Sequence, residues 1–546
     1  MNFLNRIFLS LRNFLLIFGS AYLAAKLLAI FNNPTASSLT SIGGFLLAMY
    51  FAWDALTYRG GVKSSVADVK TDAANLKKLA KGFDPENYIN LKKGIFLGLD
   101  ANRKPVYYPR HVIDKNHIEI LGESGVGKSS LAGVLLSQLA AAGETVVIYD
   151  PKVDRMLPGV LARMGQKYGF PAHVIDLRPA AGPQLNPFHG CRPDQIEELL
   201  QVALELGKTG DPGVDFYRGG DREATSYIAA AFQDGQADMQ SIIATASHDA
   251  RVTEKENFWR EIRQIGRVRA FHTTHGFDLA EAMSRPGVVY VMGSTTKLEI
   301  VAAQKLILQR CLQILEDRAD QERPVALLLD ELKYLLSPAA LRAAGTIRDR
   351  NAHLIFAHQS LGDLDDCPGL SPKAVKGAVW GNCGVKVVYK TLDANTAREL
   401  EAITGQASSE VSSVSRSSQG ESVSRRVEGH AHMPSHVFTH LPKPETGEAS
   451  VGVVIGRGVA TFLSTRWLRS GPTPSPAIVS EPSAQPLAPQ PATDAPATTL
   501  DDDQEQPAES HQIDADTGDA DAAQPPAPSS TANDLSDLLR DLSRPR

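Results

Sequence analysis

Two short stretches of this sequence have the residue types and spacing to handle a nucleotide. Gly122-Glu123-Ser124-Gly125-Val126-Gly127-Lys128-Ser129 matches G-x-x-x-x-G-K-[ST] at every fixed position. Glycines there let successive backbone N–H groups wrap phosphate oxygens, at a helix N-terminus whose partial positive charge favours anions. Lys128 offers a cation to the β and γ phosphates and Ser129 a hydroxyl to Mg²⁺, and Gly122 to Ser130 are the candidate nucleotide-binding residues. The second stretch, Val325-Ala326-Leu327-Leu328-Leu329-Asp330-Glu331, is an apolar run ending in two acids. Asp330 is placed to hold the magnesium shell and Glu331 to take a proton from the attacking water.

Chemistry of this kind needs a parallel sheet to present the loop and the acids together. His117-Ile118-Glu119-Ile120-Leu121 reads as a strand running into the glycine loop, and Ser130 to Leu139 as a helix ending at Gly143. Glu144-Thr145-Val146-Val147-Ile148-Tyr149-Asp150 is a strand candidate rich in β-branched residues, closed by Pro151-Lys152. Strand, helix and strand make a βαβ unit, hence an α/β domain. Ala352 to Ala357 is a further strand, followed by His358-Gln359-Ser360. A polar residue at its tip can sense the γ phosphate, and Gln359 is the candidate. Arg348 and Arg350 precede that strand, where in a ring an arginine reaches the neighbouring subunit's nucleotide. The acids follow Lys128 by 330 − 128 = 202 residues, more than a minimal core needs. Residues 191–284, polar and helical in pattern with Gln195 to Leu206 the clearest stretch, are read as an inserted all-helical domain. Strand pattern resumes at Gly287 to Met292, then a helical run from Lys297 to Arg318. A GTPase would need Asn/Thr-Lys-x-Asp; Thr296-Lys297-Leu298-Glu299 carries the wrong acid.

The 546 residues include 56 Lys and Arg and 62 Asp and Glu, a net charge of −6. The charge is uneven: residues 471–546 hold 14 acids and 3 bases, 3 − 14 = −11, so the rest is net +5 and compatible with a nucleic-acid partner. The four cysteines form no C-x-x-C pair, which argues against a disulfide scaffold or a cysteine zinc site. Asn13 to Phe31, with Lys26 its single charge, and Leu39 to about Leu56, with Asp54, are two apolar runs near the length a bilayer requires. Arg6 and Arg12 before them and Arg59 and Lys63 after them place both ends in the cytoplasm, so residues 1–60 read as a two-helix transmembrane anchor. Residues 61–110 carry 10 bases and 5 acids and read as a linker with lead-in strands. Residues 469–546 are Pro/Ala-rich and acidic, and read as a disordered tail. Leu535, Leu538, Leu539 and Leu542 near its end fall at i, i+3, i+4 and i+7, so 533–543 is expected to fold as a helix on a partner.

With these features in place the chain resembles the type IV coupling proteins, the TraG/TraD-like ATPases of conjugation and type IV secretion. The resemblance rests on the membrane hairpin and the P-loop. It rests further on Gly94-Ile95-Phe96-Leu97-Gly98, Pro105-Val106-Tyr107, Tyr149-Asp150-Pro151-Lys152 and Leu185-Asn186-Pro187-Phe188. Asp330-Glu331, His358-Gln359-Ser360, Asn382, Lys386 and Asp393-x-x-Thr396-Ala397 complete it. It implies a RecA-like P-loop ATPase domain in two pieces, 111–190 and 285–468, around the all-α insertion 191–284. It implies a hexameric ring at the cell inner membrane, fuelled by ATP and Mg²⁺, that recruits a relaxase and drives single-stranded DNA into a type IV secretion channel. Arg348, eleven residues before Gln359, falls where the family places a trans-acting arginine. Asp349 and Asn351 and the serine-rich stretch 406–428 depart from the family pattern.

Arg260, Arg263 and Arg267 form a basic stripe opposite Phe258, Trp259, Ile262 and Ile265; they are candidate DNA contacts on an amphipathic helix. His430, His432, His436 and His440 crowd one loop ahead of a final strand pair without a metal-ligand pattern. Two other functions share the motor motifs. One is an FtsK/HerA-type double-strand DNA translocase, and the other is a receptor for protein cargo of a secretion system.

Overall fold

The computed structural model describes residues 73–208, 210–318, 323–417 and 420–476, together with Tyr22 and Lys26. The hairpin expected over 1–60 (but for those two residues) and the tail beyond 476, with its leucine-rich end, lie outside the described residues. Among the described residues no helix is long and apolar enough to cross a membrane.

Thirteen described strands occur: β1 Ile95–Leu99, β2 Pro105–Tyr108, β3 His117–Leu121, β4 Thr145–Asp150, β5 Ala172–Asp176, β6 Gly287–Met292, β7 Val325–Leu329, β8 Ala352–His358, β9 Cys383–Val388, β10 Gln406–Ser417, β11 Gly420–Ala431, β12 Ser450–Ile455 and β13 Thr461–Thr465. Eleven of them build one sheet in the order β2-β1-β13-β12-β9-β3-β8-β7-β4-β6-β5. From β9 to β5 every pairing is parallel, while β12, β13, β1 and β2 extend it antiparallel. The parallel strands are covered on both faces, which is why they read as unbroken β-branched and aliphatic runs. Along β4, Val147 and Tyr149 enter the core of one face, Val146 and Ile148 that of the other.

Two helices cover one face: α1 Lys128–Ala141, straight out of the glycine loop, and α2 Leu157–Tyr168. The other face is packed by residues 193–283, as α3 Pro193–Ala203, α4 Pro212–Ala230, α5 Met239–His248, α6 Glu256–Ile265 and shorter turns, and by α7 Leu298–Asp317. No strand occurs between β5 and β6 among the described residues. Asp211 caps α4 and Asp238 caps α5 through side-chain oxygens that accept backbone N–H groups. Ile196, Leu199, Ile228, Ile242 and Ile262 of these helices join the same buried core as Leu306 and Leu327, so the helical segment is seated on the sheet.

The strands at 95–108, read from sequence as a lead-in to the nucleotide-binding domain, are edge members of its sheet. Leu99 pairs with Ser464, whose Oγ donates to Leu79 O at 2.8 Å. The serine-rich stretch 406–428 falls in the hairpin of β10 and β11, which pair from Gln406↔Ala431 to Ser417↔Gly420 in a sheet of their own. Among the described residues no cluster of three or more His, Cys, Asp or Glu is placed to hold a metal, the 430–440 histidines included.

Candidate functional site

β3, β4, β7 and β8 all end at the same edge of the sheet, where open α/β sheets bind their ligands. The glycine loop leaves β3 there. Gly122, Gly125 and Gly127 have φ of 151°, 77° and 116°. A Cβ on Gly127 would stand 2.0 Å from Ser450 Oγ of β12, and one on Gly122 2.7 Å from Tyr389 Cβ, so both positions demand glycine. The loop is stitched to its neighbours: Gly122 N donates to His358 O at 3.2 Å and Glu123 N to Lys390 O at 3.0 Å. Glu123 is also ion-paired with Lys443 at 2.9 Å. Lys128 Nζ donates to Gly122 O at 2.5 Å and Glu123 O at 3.0 Å, across the mouth of its own loop. Burial pulls the Lys128 ammonium below its usual pKa, and the Asp330 and Glu331 carboxylates act against that.

Facing the loop are three acids, Asp150 at the end of β4 and Asp330 and Glu331 after β7. Asp150 is fixed by backbone N–H groups of Lys152 at 2.9 Å, Val153 at 2.8 Å and Asp154 at 2.6 Å, and by the hydroxyl of Tyr290. Asp330 N donates to Tyr149 O at 3.0 Å, continuing the β4–β7 ladder to the edge of the cavity. Glu331 turns into left-handed backbone, φ 49° and ψ 53°, and its carboxylate is 5% exposed. It is held by the Lys152 ammonium and approached by Gln359 Nε2 at 3.4 and 3.5 Å. The cavity, about 920 Å³, is bounded by Lys128, Ser129, Asp150, Lys152, Asp330 and Glu331, with Arg466 and Trp467 on its far wall.

The donor set fits Mg²⁺. Ser129 Oγ and the carboxylate of Asp330 are hard oxygen ligands of the kind that ion takes. Desolvation, then Asp150 and Glu331 as like charges, push the Asp330 carboxyl up to about 7, a sign of negative charge short of a counter-ion. Metal binding must expel that proton. The affinity for Mg²⁺–nucleotide should therefore fall roughly tenfold per pH unit below about 7, measured by calorimetry between pH 5.5 and 8. A flat profile would show that Asp330 is not protonated in the metal-free protein. The same shift acts on the fold: between about pH 4 and 7 the native chain keeps a proton that the unfolded chain releases, so this group's contribution to stability declines as pH rises through that window.

Two family models match the chain. The one described as the TraM recognition site of TraD and TraG covers residues 324–443, from the start of β7 to beyond the β10–β11 hairpin. The central domain of helicase HerA covers 102–154, from β2 to the acid end of β4. Mobilization protein A of Escherichia coli is 30% identical over 278 residues, 49% of this chain and 50% of that protein. Over these segments the chain is similar to TraD/TraG-like proteins. It spans about half the length of the curated relative it matches. The fold is that of the bacterial conjugative coupling protein TrwBdeltaN70, with a TM-score of 0.51 at 15% identity over 74% of this chain and 94% of that one. TrwB in complex with a non-hydrolysable ATP analogue superposes with the same score over 75% and 95%, at 15% identity.

The structure places Lys128, Ser129, Asp330 and Glu331 around one cavity, with Gln359 beside Glu331. Arg348 is elsewhere. It lies in the turn Ile347–Arg350 before β8, at the far end of that strand from Gln359, and acts electrostatically on His117 at the start of β3. Seven residues of strand at ~3.3 Å each separate it from this cavity. Arg260, Arg263 and Arg267 are exposed on and just after α6, with the Arg263 guanidinium 5.1 Å from the Trp259 ring centroid.

Sequence reasoning missed Asp150 and Lys152 as members of the site. Their signal was present: a β-branched strand closed by a charged residue, the same pattern that marks Asp330. It also missed the wall built by Arg466 and Trp467, for which no local signal exists.

Proposed function

We propose that the chain is the coupling ATPase of a conjugative type IV secretion system, anchored in the cell inner membrane by residues 1–60. It would assemble as a hexameric ring, engage the relaxase with its single-stranded DNA, and use ATP hydrolysis to drive that DNA to the secretion channel. The observation that carries this reading is one cavity lined by the P-loop and two acids, with Gln359 beside Glu331, and the segment similar to the TraM recognition site beginning at the acid strand. The name of that segment's family speaks for a relaxosome partner, and the ATP analogue bound to TrwB speaks for ATP.

Each residue then has a task. The N–H groups of Gly125 to Ser130 hold the phosphates while Lys128 exchanges its loop carbonyls for phosphate oxygens. Ser129 and Asp330 would hold Mg²⁺, which supplies charge neutralisation on the phosphates. Glu331 takes the proton of the attacking water, and Gln359 orients that water. Arg348 completes the neighbour's site across the ring. The tail segment 533–543 is the partner-docking helix.

The HerA match favours a second reading, a double-strand DNA translocase. It covers only the P-loop half, which both classes share. Steady-state hydrolysis by the full chain in detergent, with single- and double-stranded DNA, separates them. Stimulation by single strands is expected to be severalfold. Stimulation by duplex alone would move the protein to the translocase class, and hydrolysis indifferent to all DNA would make it a receptor for protein cargo.

A further inference from the structure

Glu331 is the residue the ATPase reading asks to act as a base, yet in this structure its carboxylate is occupied. The Lys152 ammonium sits on Oε1, and the Gln359 amide nitrogen stands 3.4 and 3.5 Å from the two oxygens. Glu331 is 5% exposed, so the pair is screened far less than a surface ion pair. Its backbone holds the left-handed conformation, φ 49°, that side-chain-bearing residues adopt at a cost and retain where surrounding contacts enforce it. Lys152 is fixed at its backbone, where its N–H donates to Asp150 at 2.9 Å, and beyond that by the Glu331 contact. Its side chain is 43% exposed and lines the same cavity as Lys128.

A cation placed there meets a competing anion as soon as a triphosphate enters. The γ phosphate adds charge beside Lys128, and Lys152 can neutralise either that phosphate or Glu331, not both. Building on the ATPase reading, we propose that Lys152 is a positioning residue that locks Glu331 until a nucleoside triphosphate binds. It then transfers from the carboxylate to the terminal phosphate, freeing Glu331 for water. A diphosphate lacks that phosphate and leaves the lock closed. Lys152 is thus the element by which the site tells ATP from ADP, and no bond is made or broken in the exchange.

The exchange predicts a coupling between the two side chains that is read by binding alone. In Glu331→Gln the lysine is released from its carboxylate. The affinity for a non-hydrolysable ATP analogue relative to ADP should rise about tenfold over the wild type, since roughly one unpaired charge now faces the γ phosphate. In Lys152→Met that ratio should fall about tenfold, and adding Glu331→Gln to it should bring no recovery. Lys152→Arg should restore most of the discrimination, because a guanidinium binds carboxylate and phosphate alike. Lys152→Met removes a half-exposed side chain and keeps the backbone cap on Asp150 but leaves the Glu331 carboxylate without its cation, so circular dichroism and the urea midpoint establish that the variant is folded before it is titrated.

The full chain in detergent is titrated with the ATP analogue and with ADP, each with Mg²⁺. If Glu331→Gln raises the ratio as much in the Lys152→Met background as in the wild type, the gain comes from Lys128 and the assignment to Lys152 is overturned. A wild-type chain that binds neither nucleotide overturns the ATPase reading and this inference together. A wild type that binds and hydrolyses ATP, with a ratio that Lys152→Met leaves untouched, overturns the lock alone.

Discussion

Glu331→Gln is expected to lower the turnover number for ATP by roughly 100-fold or more although the nucleotide still binds, with the preference for the triphosphate raised as argued above. The amide keeps the shape of the carboxylate and can still meet Gln359, but it has no lone pair basic enough to take a proton from water. Of the three acids at the ends of β4 and β7, Glu331 is the one placed for that task. Asp150 is consumed by three backbone N–H groups and the Tyr290 hydroxyl, and Asp330 lies against the P-loop with Ser129. Asp330→Asn should act differently. It removes a magnesium ligand and should weaken Mg²⁺–nucleotide binding along with turnover. Single-turnover hydrolysis beside a binding isotherm separates the two effects. If Glu331→Gln loses less than about tenfold in turnover, another group activates the water.

What the sequence made legible, and what it did not, follows from the range of the interactions. The loop at 122–129 was visible because a phosphate cradle needs its glycines, lysine and serine in a fixed local order. The strand ahead of Asp330 was visible because a strand buried on both faces must be apolar throughout. The final strand pair ahead of the tail was visible for the same reason, as β12 and β13. The lock on Glu331 was not, because Lys152 lies 179 residues away in sequence and nothing local selects that partner. Nor was the attachment of β1 and β2 to the sheet, which depends on β13 more than 350 residues later. Arg348 illustrates the converse. Its spacing from Gln359 is a sequence fact, but β8 carries the two residues to opposite ends of the sheet, so spacing alone gave a role without a place.

Glu119 is the residue least expected from pattern, an acid in the middle of β3, 0% exposed, between Ile118 and Ile120. Its partners come from the strands on either side. His358 Nε2 of β8 lies 2.7 Å from Oε1, and Lys386 Nζ of β9 donates to Oε2 at 2.7 Å. Lys386 also donates to Trp380 O at 2.6 Å and lies 4.3 Å from the centroid of that indole. His358 reaches onward to Ser360 O at 2.8 Å, and its own carbonyl accepts from Gly122 N, the first residue of the phosphate loop. The cluster therefore ties the start of the loop to the strand tip that carries Gln359. Burial opposes ionisation of Glu119, but His358 and Lys386 overcome it and hold the carboxyl below its usual value.

Lys386→Met should accordingly cost about 3–5 kcal/mol of stability, because it strands a fully buried carboxylate with one partner removed. The loss should show as a lower urea midpoint. Glu119→Leu with Lys386→Met should be milder than Lys386→Met alone, since removing both charges leaves less to desolvate, although His358 then loses its acceptor. The sign with pH is set by the depressed pKa. The Glu119 contribution is fully present above its ordinary value of 4.5 and is lost as pH falls through the lower folded value. The wild type should thus lose stability more steeply below pH 4.5 than the double variant does. If Lys386→Met unfolds at the wild-type urea concentration, Glu119 is neutral in the folded chain and the cluster holds the loop by hydrogen bonds alone.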